Sequence, residues 1–250
     1  MRKWPLAAGA VAGATSWTLY NALWPTAQGF GKTFVGTPGR GNLLALTYDD
    51  GPNTAWTPAL LDTLAKHDVK ATFFSIGDFA RQQPALLREV AAAGHAIGNH
   101  TYSHVTMPLH TDETIRRELR RTSEAIEDAG VEMTTVQGRR LMRPPYGRRR
   151  PGTVRVLWEE GYIPILWSVT LWDWSKGVTT EKIMRKANKR IKGGDIILLH
   201  DGCNVAMGYD RSHSIEATEL ILDRWKSEGF QFVSIPELIE ASRFTAEPHR

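Results

Sequence analysis

Cysteine is nearly absent from this sequence of 250 residues, in which Cys203 is the only one. A single cysteine cannot form a disulfide within the chain, and it cannot build a zinc site of the cysteine type. Any zinc site must therefore use histidine and carboxylate ligands. We interpret Cys203 itself as an inert loop residue.

Signatures of nucleic-acid binding are also absent from the sequence. It contains no zinc finger and no aromatic pattern of the RNA-binding type. Lys and Arg number 31 against 27 Asp and Glu, which gives a net charge of +4. This mild basic excess suits anionic surfaces such as cell-wall polymer or phospholipid, and we predict no nucleic-acid partner.

The N-terminal region lacks charge over a long span. After Arg2 and Lys3 no charged residue appears until Lys32, and the span is rich in Ala, Gly and Thr. A positive start followed by an apolar run is typical of an export signal. We therefore predict a signal peptide or N-terminal membrane anchor over residues 1–31, with residues 4–24 as the anchoring span, and leave the choice open. The rest would face the periplasm, cell envelope or exterior; the alternative is a frayed cytoplasmic tail.

From residue 42 onward, short apolar runs alternate with longer amphipathic ones. Strands are predicted at 43–48, 71–76, 95–99, 141–143, 163–169, 195–200 and 231–235. Helices are predicted at 57–67, 79–93, 111–129, 152–160, 179–191 and 212–228. Five of them are followed by a glycine, as expected at helix C-termini. These glycines are Gly94, Gly130, Gly161, Gly193 and Gly229. This alternation predicts a single α/β domain over 42–242, an irregular (β/α)7-type barrel, between a linker at 32–41 and a tail at 243–250.

Polar residues with candidate chemistry sit at or just after the ends of the predicted strands. They are Asp49, Asp50, His100, Arg143, Asp173 and His200. In parallel α/β barrels the carboxyl-end rim is where active sites are built. We therefore expect these residues to form one constellation.

Two pairs of residues, Asp49 with Asp50 and His100 with His104, predict a divalent-metal site with a second carboxylate beside it. Asp49 and Asp50 are adjacent at a strand end, where side chains diverge, so one can bind a metal while the other faces the reacting water. His100 and His104 are four residues apart, so both imidazoles can lie on one face. Two histidines and one carboxylate leave a coordination position open, as catalytic zinc sites do.

Five short motifs occur together in one order over about residues 40–240. They are Thr-Tyr-Asp-Asp-Gly at 47–51, His-Thr-Tyr-Ser-His at 100–104, Arg-Pro-Pro-Tyr at 143–146, Trp-Asp-Trp at 172–174 and Leu-Leu-His-Asp-Gly at 198–202. With these motifs the chain resembles the polysaccharide deacetylases of the NodB-homology type, carbohydrate esterase family 4. Each motif alone is weak, whereas five in order with strand context form a specific signal.

The resemblance implies the NodB-homology fold and a metal-dependent hydrolase of N-acetyl amides. Carried over by position, it makes Asp50, His100 and His104 the metal ligands and Asp49 the general base. A divalent ion in such a site lowers the pKa of bound water and polarises a carbonyl. Zinc suits this ligand set best, with cobalt or another first-row ion as the alternative.

The resemblance also assigns the remaining roles. Arg143 would hold Asp49, Asp173 would contact Arg143 or His200, and His200 would protonate the leaving amine. The backbone N–H of Tyr146 would stabilise the oxyanion. The apolar pocket for the acetyl methyl and the sugar face would be formed by Trp172, Trp174, Leu198 and Pro145.

One position departs from the family pattern, and several residues have simpler interpretations. The fourth motif commonly begins with Asp, whereas this sequence has Thr170, which puts substrate range or the tuning of His200 in doubt. The two tryptophans can equally be core residues. A basic cluster is interpreted as a solvated rim, with a grip on anionic polymer or lipid phosphate as the alternative; it comprises Arg139, Arg140, Arg143, Arg148, Arg149 and Arg150.

The main functional hypothesis is an exported deacetylase of N-acetylated glycans such as peptidoglycan or a chitin-like polysaccharide. One alternative is a deformylase or deacetylase of a lipid-linked sugar phosphate, which the N-terminal span and the basic cluster would suit. The other is a non-catalytic carbohydrate-binding relative, which predicts damaged catalytic positions.

Overall fold

The sheet is built around β1, the long central strand. The structure is a computed structural model that describes residues 4–247, with side chains from residue 13 onward. Within that part, the strands are β1 (Leu43–Gly51), β2 (Thr72–Ser75), β3 (Ala96–Asn99), β4 (Thr135–Val136), β5 (Arg139–Met142), β6 (Tyr162–Pro164), β7 (Val169–Thr170), β8 (Ile196–His200) and β9 (Gln231–Phe232). Strand β4 pairs antiparallel with β5, and the other pairings between these strands are parallel.

The sheet curls into an irregular barrel. Its order is β4-β5-β3-β2-β1-β8-β7, with β6 on β5 and β9 on β1. Strands β6 and β7 belong to one stretch, 162–170, whose start pairs with β5 and whose end pairs with β8. Between them Phe34 donates its N–H to Pro164 and accepts one from Leu166. The predicted α/β barrel is therefore confirmed, with an irregular closure at this stretch.

Alternate residues of β1 face two different cores. Leu44, Leu46 and Tyr48 pack in a cluster with helix residues, whereas Ala45 packs with Phe74 and other residues of the barrel interior. Because side chains alternate along a strand, Thr47 and Asp49 continue the inward series. The end of β1 therefore delivers Asp49 to the interior mouth of the barrel.

Helices surround the sheet. They are α1 (Trp4–Leu23), α2 (Thr57–Lys66), α3 (Gly77–Gln82), α4 (Pro84–Ala92), α5 (Asp112–Asp128), α6 (Pro151–Glu159), α7 (Thr180–Arg190), α8 (Ser212–Ser227) and α9 (Ile235–Glu240). The side chains of Thr111 and Thr179 accept backbone N–H bonds at the starts of α5 and α7, as capping residues do. Among the described residues, no helix has the length and apolar character needed to cross a bilayer.

Three predicted elements and one predicted helix-ending glycine differ from the structure. Pro84 begins a new helix, so the predicted helix 79–93 is two, α3 and α4. The predicted strand 163–169 is interrupted between β6 and β7. The predicted strand 231–235 is shorter, because Ser234 and Glu237 form a capping box that starts α9. After α7 the left-handed glycine is Gly194 rather than Gly193.

The stretches on either side of the predicted domain pack against it. Phe34, in the predicted linker 32–41, is buried in the barrel core. Phe244, in the predicted tail, stacks edge-on against it at 4.9 Å. Residues 248–250 of that tail, like residues 1–3 of the predicted signal, lie outside the described residues.

Candidate active site

The predicted strand-end residues do meet in one place. Strands β1 and β8 are in register so that Asp49 lies opposite His200, and β3 and β5 pair at Asn99 and Met142. His100 and Arg143 directly follow those two paired residues. The parallel register thus brings the carboxyl ends of four strands to the same rim, as the sequence predicted.

Asp50, His100 and His104 form a buried group whose ligand atoms all lie within 4.8 Å of one another. Asp50 Oδ1 lies 3.4 Å from His100 Nε2 and 3.1 Å from His104 Nε2. It accepts no hydrogen bond of good geometry from the described residues. Three donor atoms therefore converge on one point, with an arrangement that fits a divalent ion.

The protonation of these side chains also suits metal binding. His100 Nδ1 lies 2.8 Å from the carbonyl oxygen of Arg143, so it donates there and leaves Nε2 free to coordinate. Burial lowers the pKa of His104 and so favours the neutral imidazole. Burial raises the pKa of the Asp50 carboxyl, but the two histidines outweigh it and hold that pKa well below its usual value.

Asp49 is held apart from this group by a buried arginine. Arg143 Nη1 donates to Asp49 Oδ1 at 2.7 Å and to Thr47 Oγ1 at 2.8 Å. The guanidinium also lies 4.2 Å from the ring centroid of Phe74. Its position is therefore fixed from several sides, and it orients one oxygen of Asp49 while the other, Oδ2, lies 3.7 Å from His100 Nε2.

His200 is oriented by Asp173. Its Nδ1 donates to Asp173 Oδ1 at 2.9 Å, and its backbone N–H donates to Oδ2 at 2.8 Å. Ser214 Oγ also donates to Oδ2 at 2.8 Å. Burial lowers the pKa of His200, but the buried Asp173 carboxylate outweighs it and raises that pKa above its ordinary value. With Nδ1 engaged, Nε2 is the nitrogen that can act in the cavity.

These groups open into one cavity of about 480 Å³, which Asp49, Asp50, His100, His104 and His200 line together. Two predicted pocket residues, Trp174 and Leu198, also line it, as does Tyr146, which was predicted to supply the oxyanion N–H. The ring of Trp174 packs edge-on against His200 at 4.9 Å.

Two residues predicted for the sugar pocket lie elsewhere. Trp172 is outside the cavity lining. Its ring instead makes cation–π contacts with Lys186 and Arg190, whose charged groups lie 4.8 and 4.6 Å from the ring centroid. The backbone at Trp172 is left-handed, with φ 54°, so the strand alternation that would place Trp172 and Trp174 on one face ends here. Pro145 is buried and is likewise not part of the lining.

Several residues of the five motifs have a left-handed backbone, which non-glycine residues seldom adopt. The φ angles are 70° at Asp50, 63° at Thr101, 54° at His104, 59° at Tyr146 and 54° at Trp172. Such residues cluster at functional sites when the surrounding structure holds them in place.

Some contributors had no recognisable sequence signal. Ser214 donates to Asp173, yet an isolated Ser carries no motif. Thr47 accepts from Arg143, and its place at the start of the first motif could have indicated it. Asp201 packs behind the end of β1, where Thr57 Oγ1 donates to it at 2.5 Å and burial raises its pKa to about 7. The Asp in the fifth motif could have indicated it. Thr170, the departure from the family pattern, has a buried hydroxyl without a hydrogen-bond partner among the described residues.

An acid–base pair beside a metal-type triad in one cavity is the arrangement of a hydrolase on an α/β barrel. Over residues 36–164 the sequence matches the family described as polysaccharide deacetylase. The chain belongs to that family.

Known proteins similar to this chain agree with the family. A peptidoglycan-N-acetylglucosamine deacetylase of Bacillus cereus is 36% identical over 81% of this chain and 90% of that protein. A chitooligosaccharide deacetylase of Rhizobium leguminosarum bv. trifolii is 36% identical over 77% of this chain and 89% of that protein. The crystal structure of a mutated carbohydrate esterase family 4 pseudoenzyme with restored enzymatic activity has a TM-score of 0.75 at 27% identity, over 85% of this chain and 73% of that one.

Proposed function

We propose that this protein hydrolyses the N-acetyl amide of sugar units in a cell-wall-type glycan, releasing acetate and a free amino sugar, and that it uses a divalent ion. The observation that carries the proposal is the buried triad of Asp50, His100 and His104 in the same cavity as two further acid–base groups. The named activities of its relatives support the choice of an N-acetylated glycan.

Asp50, His100 and His104 would hold the ion, and two imidazoles with one carboxylate are a donor set that zinc accepts readily. When bound, such an ion supplies Lewis acidity toward a carbonyl and lowers the pKa of a coordinated water. The remaining steps depend on side chains and one backbone N–H of this chain.

Asp49 is placed to act as the general base. Arg143 fixes one of its oxygens, and the other lies beside the triad, where an attacking water would lose its proton. His200 is placed to act as the general acid, because the neighbouring Asp173 carboxylate raises its pKa and so favours the protonated imidazole. It would give its Nε2 proton to the amine, which leaves poorly as an anion. Asp173 keeps that imidazole in orientation. We assign the oxyanion contact to the backbone N–H of Tyr146.

The principal test is mass spectrometry of the products from a panel of soluble N-acetylglucosamine oligomers, peptidoglycan fragments and a polyprenyl-phosphate sugar. We expect a loss of one acetyl mass per event and equimolar acetate from the first two classes. Exclusive turnover of the lipid-linked sugar would favour the lipid-phosphate alternative. Binding of oligomers without turnover in zinc-loaded protein would favour the non-catalytic alternative.

We also propose that the domain works outside the cytoplasm, with the N-terminal region as the export signal or anchor. The uncharged span after Lys3 supports this. Fractionation of cells that express the protein with a C-terminal alkaline phosphatase would test it, because that reporter is active only after export. An inactive reporter in the cytoplasmic fraction would contradict export.

A further inference from the structure

The end of α1 is fastened to the rim of the cavity. The fully buried side chain of Arg149 donates to the carbonyl oxygens of Trp24 and Ala27, each at 2.7 Å, and to that of Gly147 at 2.9 Å. Its backbone N–H also donates to the carbonyl of Ala22 at 3.3 Å. Since Arg149 closely follows the third motif, these bonds tie the N-terminal segment directly to the active-site loop.

The segment after α1 folds back and holds the helix end from the other side. Asn21 Oδ1 accepts the N–H of Gly29 at 2.6 Å, and the Trp17 ring packs edge-on against Phe30 at 5.6 Å. The last turns of α1 thus have a defined position, and residues that do not face the barrel project from it into solvent.

Those projecting residues are apolar and continue the cavity wall. Leu23 lines the cavity together with Asp49 and His200. Beside it, the rings of Tyr20 and Trp24 stack at 6.2 Å with an interplanar angle of 18°. All three side chains are more than half exposed, at 53%, 53% and 58% in the order Leu23, Tyr20 and Trp24.

The exposed apolar side chains of the described residues are concentrated here. Of the eleven large ones, five line the cavity. These are Leu23, Tyr146, Trp174, Val205 and Tyr209. A folded domain seldom leaves a contiguous apolar patch uncovered unless it binds something.

We propose that Tyr20, Leu23 and Trp24, called here the α1 platform, form a binding subsite for the sugar units next to the one that is deacetylated. This rests on the proposed function, and it requires that residues 20–24 stay with the domain after export and lie outside the bilayer. A cavity of about 480 Å³ suits a ligand of small-molecule size, so a longer glycan must leave it across the rim. The apolar C–H face of a pyranose ring packs well on an aromatic ring, and the platform offers two such rings in continuity with the cavity.

The test is the dependence of kcat/KM on chain length, measured with zinc-loaded protein and N-acetylglucosamine oligomers from dimer to hexamer. We expect kcat/KM for the hexamer, divided by kcat/KM for the dimer, to fall about tenfold in the double variant Tyr20→Ala, Trp24→Ala. A tenfold change corresponds to a loss of about 1.4 kcal/mol of binding free energy. The matched control is Leu220→Ala, which removes an exposed apolar side chain of α8 away from the cavity and should leave that ratio as in the wild type. An unaltered ratio in the double variant would overturn the proposal, as would an equal loss at every length.

Calorimetric binding in an Asp49→Asn background separates this proposal from the proposed function. Hexamer affinity that falls about tenfold when Tyr20 and Trp24 are replaced supports the platform, even if the wild type releases no acetate. A third arm uses vesicles of phosphatidylcholine and phosphatidylglycerol in a sedimentation assay. Sedimentation that depends on the platform, with no platform effect on hexamer affinity, would assign this surface to a membrane and defeat the glycan subsite.

Discussion

Replacing Asp173 with Asn should move the alkaline limb of the pH–rate profile toward lower pH. A general acid works only while protonated, so activity falls as pH rises through the pKa of His200. Asp173 raises that pKa, and its carboxylate oxygen lies 2.9 Å from the imidazole Nδ1. Removing the negative charge must therefore lower the pKa and bring the loss of activity to a lower pH.

The size of the shift follows from the geometry. Two unit charges about 4 Å apart interact by about 4 kcal/mol at an effective dielectric constant of about 20. At about 1.36 kcal/mol per pKa unit, this energy corresponds to a shift of about 3 units in the pKa of His200, which we take as an upper bound. Opposite charges at such distances shift pKa values by about 1–3 units, and we expect a displacement within that range.

The assay is kcat/KM for a soluble N-acetylglucosamine oligomer over about pH 5 to 10, with metal content checked at each pH, since this ratio reports the pKa values of the free enzyme. Ser214→Ala is the matched control, because it removes a hydroxyl donor from the same carboxylate and keeps the charge. Its alkaline limb should stay in place or move slightly upward. If Asp173→Asn and the wild type share one alkaline limb, His200 is not the acid or Asp173 does not set its pKa.

Three further results are expected. Asp49→Asn should lower kcat by about 10²–10⁴-fold while zinc affinity, measured by calorimetry, stays close to that of the wild type; retained turnover would contradict the role of base. His104→Ala should weaken zinc binding by more than the roughly 10–100-fold that the loss of an outer partner causes, whereas His110→Ala, outside the triad, should bind as the wild type does. Arg149→Met should lower the free energy of unfolding, measured in urea, by at least about 2 kcal/mol, because buried carbonyls lose a charged donor. The control is Arg148→Met at the exposed neighbouring residue, which should change that free energy by no more than about 0.5 kcal/mol.

The strand ends and the metal-type triad were predictable because they follow from short-range rules. An apolar run that ends in Asp-Asp-Gly-Pro locates the end of β1, and parallel pairing then brings the residues after β3 and β5 to the same rim. His100 and His104 needed only their spacing and that rim to meet Asp50. The same rules predicted α2, α5 and α8 to within a residue or so at either end.

What could not be predicted depends on tertiary packing. The break between β6 and β7 arises because the stretch changes partner from β5 to β8, with Phe34 between them. Trp172 and Trp174 look equivalent in sequence, yet only Trp174 turns into the cavity. Arg149 was one member of a basic cluster interpreted as a solvated rim, whereas its carbonyl partners more than a hundred residues earlier make it a buried structural residue.

The left-handed backbone at Asp50 and His104 has a consequence for engineering. Each such residue stores roughly 1–2 kcal/mol that glycine would release, but glycine carries no ligand. Copying the ligand side chains onto another scaffold would therefore fail unless its loops impose the same φ values. Variants selected for more flexible loops should lose the orientation of their metal ligands before they lose their fold.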